Sequence, residues 1–227
     1  MKNQAIEASK KLHSSNENYG KASEYERRGS MKYLLTLPKA IQESVNKYGT
    51  KSIIDHGTGK GGLVKALKKV FSDNIAIEGY DPAVEEYSKK PTKKYDIVCS
   101  IDVLEHIPKK EIDQTLEDIS ELTEGFFFFC IDLLPASKRM HDKRNAHFLI
   151  APAEWWAQKI KQHFTSITCI EVGEMSDGSH YPIHLFGCAT NSMKEFQKMN
   201  HFLENVEVAN KRWVWDCQGT GVSLRPY

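Results

Sequence analysis

The sequence predicts an α/β fold, a doubly wound, mostly parallel sheet with an antiparallel C-terminal edge hairpin. Three observations predict it. Apolar runs of strand length alternate with segments of helical periodicity through residues 51–164. The first run, Ile53-Ile54-Asp55, ends in a glycine-rich bend, His56 to Gly62, that opens an amphipathic segment. The last two strand-like runs have no helical segment between them, so they should pair as an antiparallel hairpin.

Taken in order, residues 1–20 are polar and rich in Lys, Asn and Ser, and are expected to fray. Tyr25 to Tyr48 carries Met31, Leu34, Leu35, Leu37, Ile41 and Val45 at helical spacing, broken by Pro38 into two helices or a kinked one. Lys51 to Asp55 reads as a short buried strand. Gly62 to Phe71 reads as a helix with Leu63, Ala66, Leu67 and Val70 on one face. Asn74 to Tyr80 is a second strand, stopped by Asp81-Pro82, and Val84 to Lys89 a short helix. Tyr95 to Ile101 is a third strand. Pro108 to Leu122 is a helix, with Ile112, Leu116 and Ile119 in register. Phe126 to Leu133 is a central strand, followed by a basic irregular segment from Pro135 to His147. Pro152 suits the start of a helix running to Phe164. Ser166 to Val172 and His184 to Thr190 are the hairpin strands, joined by a loop of Gly, Ser, Asp and Pro. Ser192 to Asn210 has helical character, and the aromatic tail from Lys211 to Tyr227 matches no element.

Composition narrows the function classes. At 227 residues, 40% of them apolar, the chain has material for one sizeable core. Its 31 basic residues against 30 acidic ones leave a formal charge of +1, which argues against a nucleic-acid partner or a charged membrane surface. The longest apolar run, Phe126 to Leu134, is too short to span a bilayer. Five cysteines occur without a CxxC pair, and Cys99, Cys130, Cys169 and Cys188 sit in strand-like runs where reduced, buried thiols are expected. The odd count and the polar N-terminal residues point to a reducing cytoplasm.

The glycine bend carries the chemistry. In an open α/β sheet, ligands bind beyond the carboxyl ends of the strands, where strand order reverses. Gly57, Gly59 and Gly61 sit at such an end, and glycines there let a ligand approach the backbone. A glycine repeat alone is weak evidence, and a plain structural turn would use the same residues. The second strand, however, ends in Asp81, whose carboxylate could accept both ribose hydroxyls of an adenosine. Asp55 precedes the first glycine. Its charge would repel a pyrophosphate, which disfavours a dinucleotide-binding oxidoreductase, and it suits a ligand with a cationic amino group.

Asp55-His56-Gly57-Thr58-Gly59-Lys60-Gly61, Gly79-Tyr80-Asp81-Pro82 and the run Tyr95 to Pro108, ending Leu104-Glu105-His106-Ile107-Pro108, resemble three motifs of the class I, Rossmann-like S-adenosylmethionine-dependent methyltransferases. The last motif is similar to the subgroup holding many small-molecule O-methyltransferases. The resemblance covers about residues 50–190. It implies S-adenosylmethionine as cofactor, with S-adenosylhomocysteine as product. It implies that Asp55, Gly57, Thr58, Gly59 and Gly61 hold the methionine end, and that Tyr80, Asp81 and Pro82 bind the ribose. Ser100, Ile101, Asp102 and Val103 should line the cofactor's other side. It divides the chain into an N-terminal helical extension or lid (1–48), a methyltransferase domain (49–191) and a C-terminal helix and tail (192–227). One departure stands out. The stretch between Asp81 and Tyr95 is short, so a strand common in the family should be short or missing, with its adenine contacts.

Methyl transfer to oxygen needs alignment and, for an acceptor of high pKa, a base or a metal. His106 and His147 are the candidate bases. Each is equally readable as a residue that orders its own loop. Asn145-x-His147 followed by Pro152-x-Glu154-Trp155-Trp156 is similar to a pattern in the same subgroup. Arg139, His141, Arg144 and Asn145, with Lys138 and Lys143, would favour an anionic acceptor, or simply form a solvated charged loop. Trp155 and Trp156 read as one core residue and one partly exposed one. No His, Asp or Glu cluster is evident at metal-ligand spacing, so no metal is expected. The expectation is a cytoplasmic methyltransferase acting on a small-molecule or sugar oxygen, with no nucleic-acid or membrane partner. Macromolecule methylation and a non-catalytic adenosine-binding subunit are the rival readings.

Overall fold

The computed structural model describes residues 2–15, 49–71, 74–137, 139–140, 142–177, 179–192, 195 and 211–215. The expected helices over 25–48 and 192–210, and Cys217, lie outside or almost wholly outside these. Within residues 1–20 the expected fraying gives way to a helix, α1 (Lys2–Ser15).

Among the described residues, seven strands form one sheet: β1 (Ser52–His56), β2 (Ala76–Tyr80), β3 (Tyr95–Ile101), β4 (Thr123–Asp132), β5 (Ser166–Ser176), β6 (Ser179–Thr190) and β7 (Lys211–Trp215). Their order is β2-β1-β3-β4-β6-β5-β7. The first four pair in parallel, and β6, β5 and β7 add antiparallel. The mostly parallel sheet with its antiparallel edge is the architecture expected. Two details differ. The strands of the hairpin run on through the supposed loop, with a bulge at Val172/Gly173, and turn at Asp177, whose φ is 51°. The unassigned tail contributes β7, which pairs with β5 over Val172 to Cys169. Between β2 and β3 there is only one 3-10 turn, Glu85–Tyr87, so the expected missing strand is indeed missing.

Helices α2 (Gly62–Val70), α3 (Ile112–Leu122) and α4 (Ala153–Lys161) cover the two faces. Period-two alternation sorts the buried strand residues. Ile53, Ile97, Cys99, Ile101, Phe126 and Phe128 meet Val64 and Leu67 of α2. Ile54, Val98, Phe127 and Phe129 meet Leu116 and Ile119 of α3 and Trp156 and Ile160 of α4. Because helices lie on both faces, the inner strands are apolar on both sides, which is why β3 and β4 read as continuous runs rather than alternating ones. Trp156 is fully buried and Trp155 half-buried, as expected. Deleting the Trp156 ring would cost about 3–5 kcal/mol through the cavity it leaves. Phe127 stacks on Phe164 at 5.5 Å, fixing the end of α4 over β4.

This order places β1 between β2 and β3, with the chain reversing direction of growth there. Their carboxyl ends, near His56, Tyr80 and Ile101, define the crevice.

Candidate functional site

The bend after β1 is stitched to the end of β2. The backbone N–H groups of Gly57 and Thr58 both donate to the Tyr80 carbonyl, at 2.7 and 3.1 Å. Gly59 donates to Asp81 Oδ2 at 2.9 Å, and Ala83 donates to Asp81 Oδ1 at 2.8 Å. Asp81 therefore ties the bend and starts its own turn, while each oxygen keeps a second lone pair. Gly57 requires glycine twice over: its φ is 87°, and a Cβ there would strike the Val103 side chain. That contact also shows that the first and third motifs meet. Gly61, in the left-handed region, caps α2.

Asp55 is 4% exposed, and burial, reinforced by the neighbouring Asp81 charge, pushes its carboxyl up to about 7. Such a carboxylate is poised to ionise against an incoming cation. His56, buried against the Tyr80 ring at 5.2 Å, is held down at about 4 by desolvation, so it is neutral at pH 7. Tyr80 packs toward the α3 side, and Pro82 is half-buried at the turn. Ser100 is fully buried, as is most of Ile101. Asp102 follows them with φ 59°, its N–H donating to the Cys130 carbonyl at 2.9 Å. That left-handed turn swings the chain off β3 and into a 3-10 turn, Leu104–His106. His13 of α1 lies within electrostatic reach of Asp81, Lys60 and His106, so α1 stands beside the crevice.

The segment after β4 docks onto this turn. Leu149 N–H donates to the Glu105 carbonyl at 3.0 Å, and Asp132 N–H donates to Glu105 Oε1 at 2.9 Å. His106 Nδ1 donates to the Ala146 carbonyl at 2.9 Å, and His147 Nδ1 donates to the Leu134 carbonyl at 2.5 Å. A carbonyl can only accept, so both Nδ1 atoms carry protons, and in the neutral form of each ring Nε2 holds the lone pair. The two rings meet edge to face at 4.7 Å between centroids. Burial depresses His106 to about 4, keeping it neutral.

Beside them, burial lifts the Glu105 carboxyl well above its usual range. Burial opposes ionisation of Asp102 too, but its hydrogen bond with Glu105 and the nearby His106, His147 and His184 hold it below the usual range. Asp102, Glu105, His106 and His147 each offer a donor atom, and these atoms all lie within 4.8 Å of one another. The fold thus assembles the cluster whose absence was inferred from the sequence. The signal for three of its members was the Asp102-x-x-Glu105-His106 spacing, which one helical turn brings to one side. The fourth, His147, is supplied by a distant loop.

Asn145 bridges that loop internally. Its Oδ1 accepts from the N–H groups of Ala136 and His147, and its Nδ2 donates to the Ala136 carbonyl, all at 2.9–3.0 Å. Its side chain is used in ordering the loop, not in facing a substrate. Arg144 pairs with Asp142 at 2.6 Å and lies over the Phe148 ring, while Arg139 donates to the Lys143 carbonyl. The cations expected to greet an anionic acceptor are partly satisfied by the loop itself. His141 and Lys138 lie outside the described residues. Cys99, Cys130, Cys169 and Cys188 are buried thiols outside any disulfide, as expected.

The parallel sheet, the glycine bend between β1 and β2 and the acidic strand ends define a Rossmann-like methyltransferase fold. The chain matches the methyltransferase domain family over residues 25–171, most of its length, and belongs to that family. It is an S-adenosylmethionine-dependent methyltransferase. No relative was found among curated proteins. Among solved structures, it is similar to the DszA carbon methyltransferase at 10% identity and a TM-score of 0.54, over 75% of this chain and 57% of that one. The plantazolicin methyltransferase BamL, in complex with a triazolic desmethylPZN analog and S-adenosylhomocysteine, matches at 13% identity and a TM-score of 0.54, over 83% and 96%. DhpI in complex with S-adenosylhomocysteine matches at 12% identity and a TM-score of 0.50, over 82% and 98%. This chain therefore spans little more than half the length of DszA and nearly all of the other two. Among the described residues, no helix is long and apolar enough to cross a membrane.

Proposed function

We propose that this methyltransferase transfers the methyl group to an oxygen of a small-molecule or sugar acceptor, seated between the Asp102 end of β3 and the loop 133–150. The observation that carries this reading is the pair of imidazoles. Both have Nδ1–H groups committed to backbone carbonyls, so in each neutral ring Nε2 is the nitrogen left to accept a proton. The cofactor is assigned to the residues of the bend. Asp55 takes the ammonium of the methionine end, with the Gly57, Thr58, Gly59 and Gly61 backbone around it. Asp81, flanked by Tyr80 and Pro82, takes the ribose, and Ser100 to Val103 flank the sulfonium. An acceptor oxygen then forms the O–CH3 bond as the S–CH3 bond breaks, its electron pair staying on sulfur. The acceptor proton passes to an Nε2. The sulfonium is a good leaving group, so most of the barrier is met by alignment, and the base contributes about 10²–10⁴-fold.

The fold says little about the acceptor, since DszA is a carbon methyltransferase and BamL was solved with a heterocyclic analog. An anionic acceptor loses support from the Arg144–Asp142 pair. The four buried thiols support a reducing, cytoplasmic setting. The test is release of S-adenosylhomocysteine across sugar, phenol and carboxylate acceptors, with mass spectrometry of the product. Methylated oxygen with loss of turnover in His147→Ala supports the reading. Tight cofactor binding with no turnover on any acceptor would replace it with a non-catalytic subunit, and salt-sensitive binding of mixed RNA with RNA methylation would replace it with a macromolecular substrate.

A further inference from the structure

We propose that Asp102, Glu105, His106 and His147 form a binding site for one divalent transition-metal cation at the rim of the cofactor crevice. Four independent observations converge on it. First, the donor atoms all lie within 4.8 Å of one another. Ligands on opposite sides of a cation with bonds of about 2.1 Å are about 4.2 Å apart, so closing the cluster takes only side-chain adjustments. Second, both imidazoles are oriented as metal ligands are. Each Nδ1–H is anchored on a backbone carbonyl, of Ala146 and of Leu134, which in the neutral ring fixes the tautomer and leaves Nε2 as the ligating atom. Third, Glu105 is fully buried; Oε1 is served by the Asp132 amide, while Oε2 meets no donor beyond a proton shared with Asp102. A buried carboxylate oxygen left in this way is costly, so it must share a proton with Asp102 or meet a cation. Fourth, the set supplies two carboxylates, whose charges balance a divalent ion.

The donor set also selects the ion. Two imidazoles with two carboxylates suit Mn²⁺, Fe²⁺, Co²⁺ or Zn²⁺ better than Ca²⁺ or Mg²⁺, which prefer all-oxygen cages. Four protein ligands leave open positions on an ion that accepts five or six. Such positions would suit oxygen donors, such as a hydroxyl with a neighbouring oxygen on the acceptor. This last step rests on the methyl-transfer reading, with the cation, by acidifying the acceptor hydroxyl so that its proton leaves to solvent, replacing the free Nε2 as the means of deprotonation; metal binding itself does not.

The experiment uses the full chain, stripped with chelator and titrated with Co²⁺ while the visible absorption of the ion is followed. One Co²⁺ per chain is expected at micromolar affinity. Glu105→Gln, which keeps an acceptor for the Asp132 amide, and His147→Ala are each expected to weaken it by about tenfold or more. Circular dichroism and calorimetric binding of S-adenosylhomocysteine to the metal-free variants verify that both are folded. Absence of a stoichiometric cobalt spectrum in the parent, or an equal spectrum in both folded variants, overturns the proposal in favour of a proton shared between Asp102 and Glu105. Cobalt binding with no affinity for S-adenosylhomocysteine would strike the cofactor assignment and leave the metal site standing.

Discussion

The perturbation with the clearest consequence is the titration of Asp55. Its carboxyl is almost wholly buried at the tip of β1, and burial raises it to about 7. The displacement from an ordinary carboxylate corresponds to about 4 kcal/mol, an upper figure for a buried group. The sign follows from the direction. A carboxyl raised in the folded state contributes stability that is present below the unfolded value near 4 and is lost as pH rises through about 7. The ligand-free protein is therefore expected to lose stability between about pH 4 and 7 through this group, and to level off above that. A cofactor whose ammonium rests on Asp55 needs the ionised form. Its affinity should then rise about tenfold per pH unit below about 7 and level off above it. Asp55→Asn separates the two effects. At pH 8 it should raise the thermal midpoint of the ligand-free protein, because no charge is buried. It should also weaken S-adenosylhomocysteine strongly and flatten its pH profile. Calorimetry at pH 5.5, 6.5, 7.5 and 8.5 on both proteins is the assay. A parent affinity that is flat over that range, or a variant with the same slope, would refute the placement of the ammonium on Asp55.

Asp81→Ala removes the acceptor for two backbone amides as well as the ribose ligand. Calorimetry should show cofactor affinity down by at least about tenfold, and thermal melts a loss of about 1–3 kcal/mol. Gly57→Ala forces a side chain into the left-handed region and against Val103. A denaturant titration should show about 1–3 kcal/mol lost, with weakened cofactor binding. Asn145→Ala unties the loop that carries His147, and limited proteolysis should then cut within 133–150 faster than in the parent. Arg144→Ala removes an exposed pair with Asp142 and a contact over the Phe148 ring. Its stability should fall by no more than about 1 kcal/mol in a thermal melt, and an unchanged KM on an acidic acceptor would remove this residue from the substrate site.

Much of the fold was legible because it depends on short-range patterns. β3 runs over the residues foreseen, and β1, α2 and β2 fall within a residue or two, because each is bounded by a local signal: a glycine bend, an Asp-Pro stop, an apolar run of strand length. The extension of β5 and β6 through their supposed loop was not legible. There, Gly173, Ser176 and Pro182 read as punctuation, and pairing across eleven residue pairs overrode their local preference. Nor was β7, whose place comes from the free edge of β5 and not from any pattern of its own.

The same division runs through the site. Asp55, Gly57, Gly59 and Asp81 could be named from the chain alone, since strand ends and tight bends put them at the carboxyl edge of any sheet wound this way. The meeting of His147 with Asp102, Glu105 and His106 could not. It depends on Asn145 folding a loop so that a residue some forty positions beyond His106 comes against it. Sequence determines which residues end strands, because that is decided by neighbours along the backbone. Only tertiary structure decides which buried carboxylate is left without a donor, because that depends on what the rest of the chain brings to its other side.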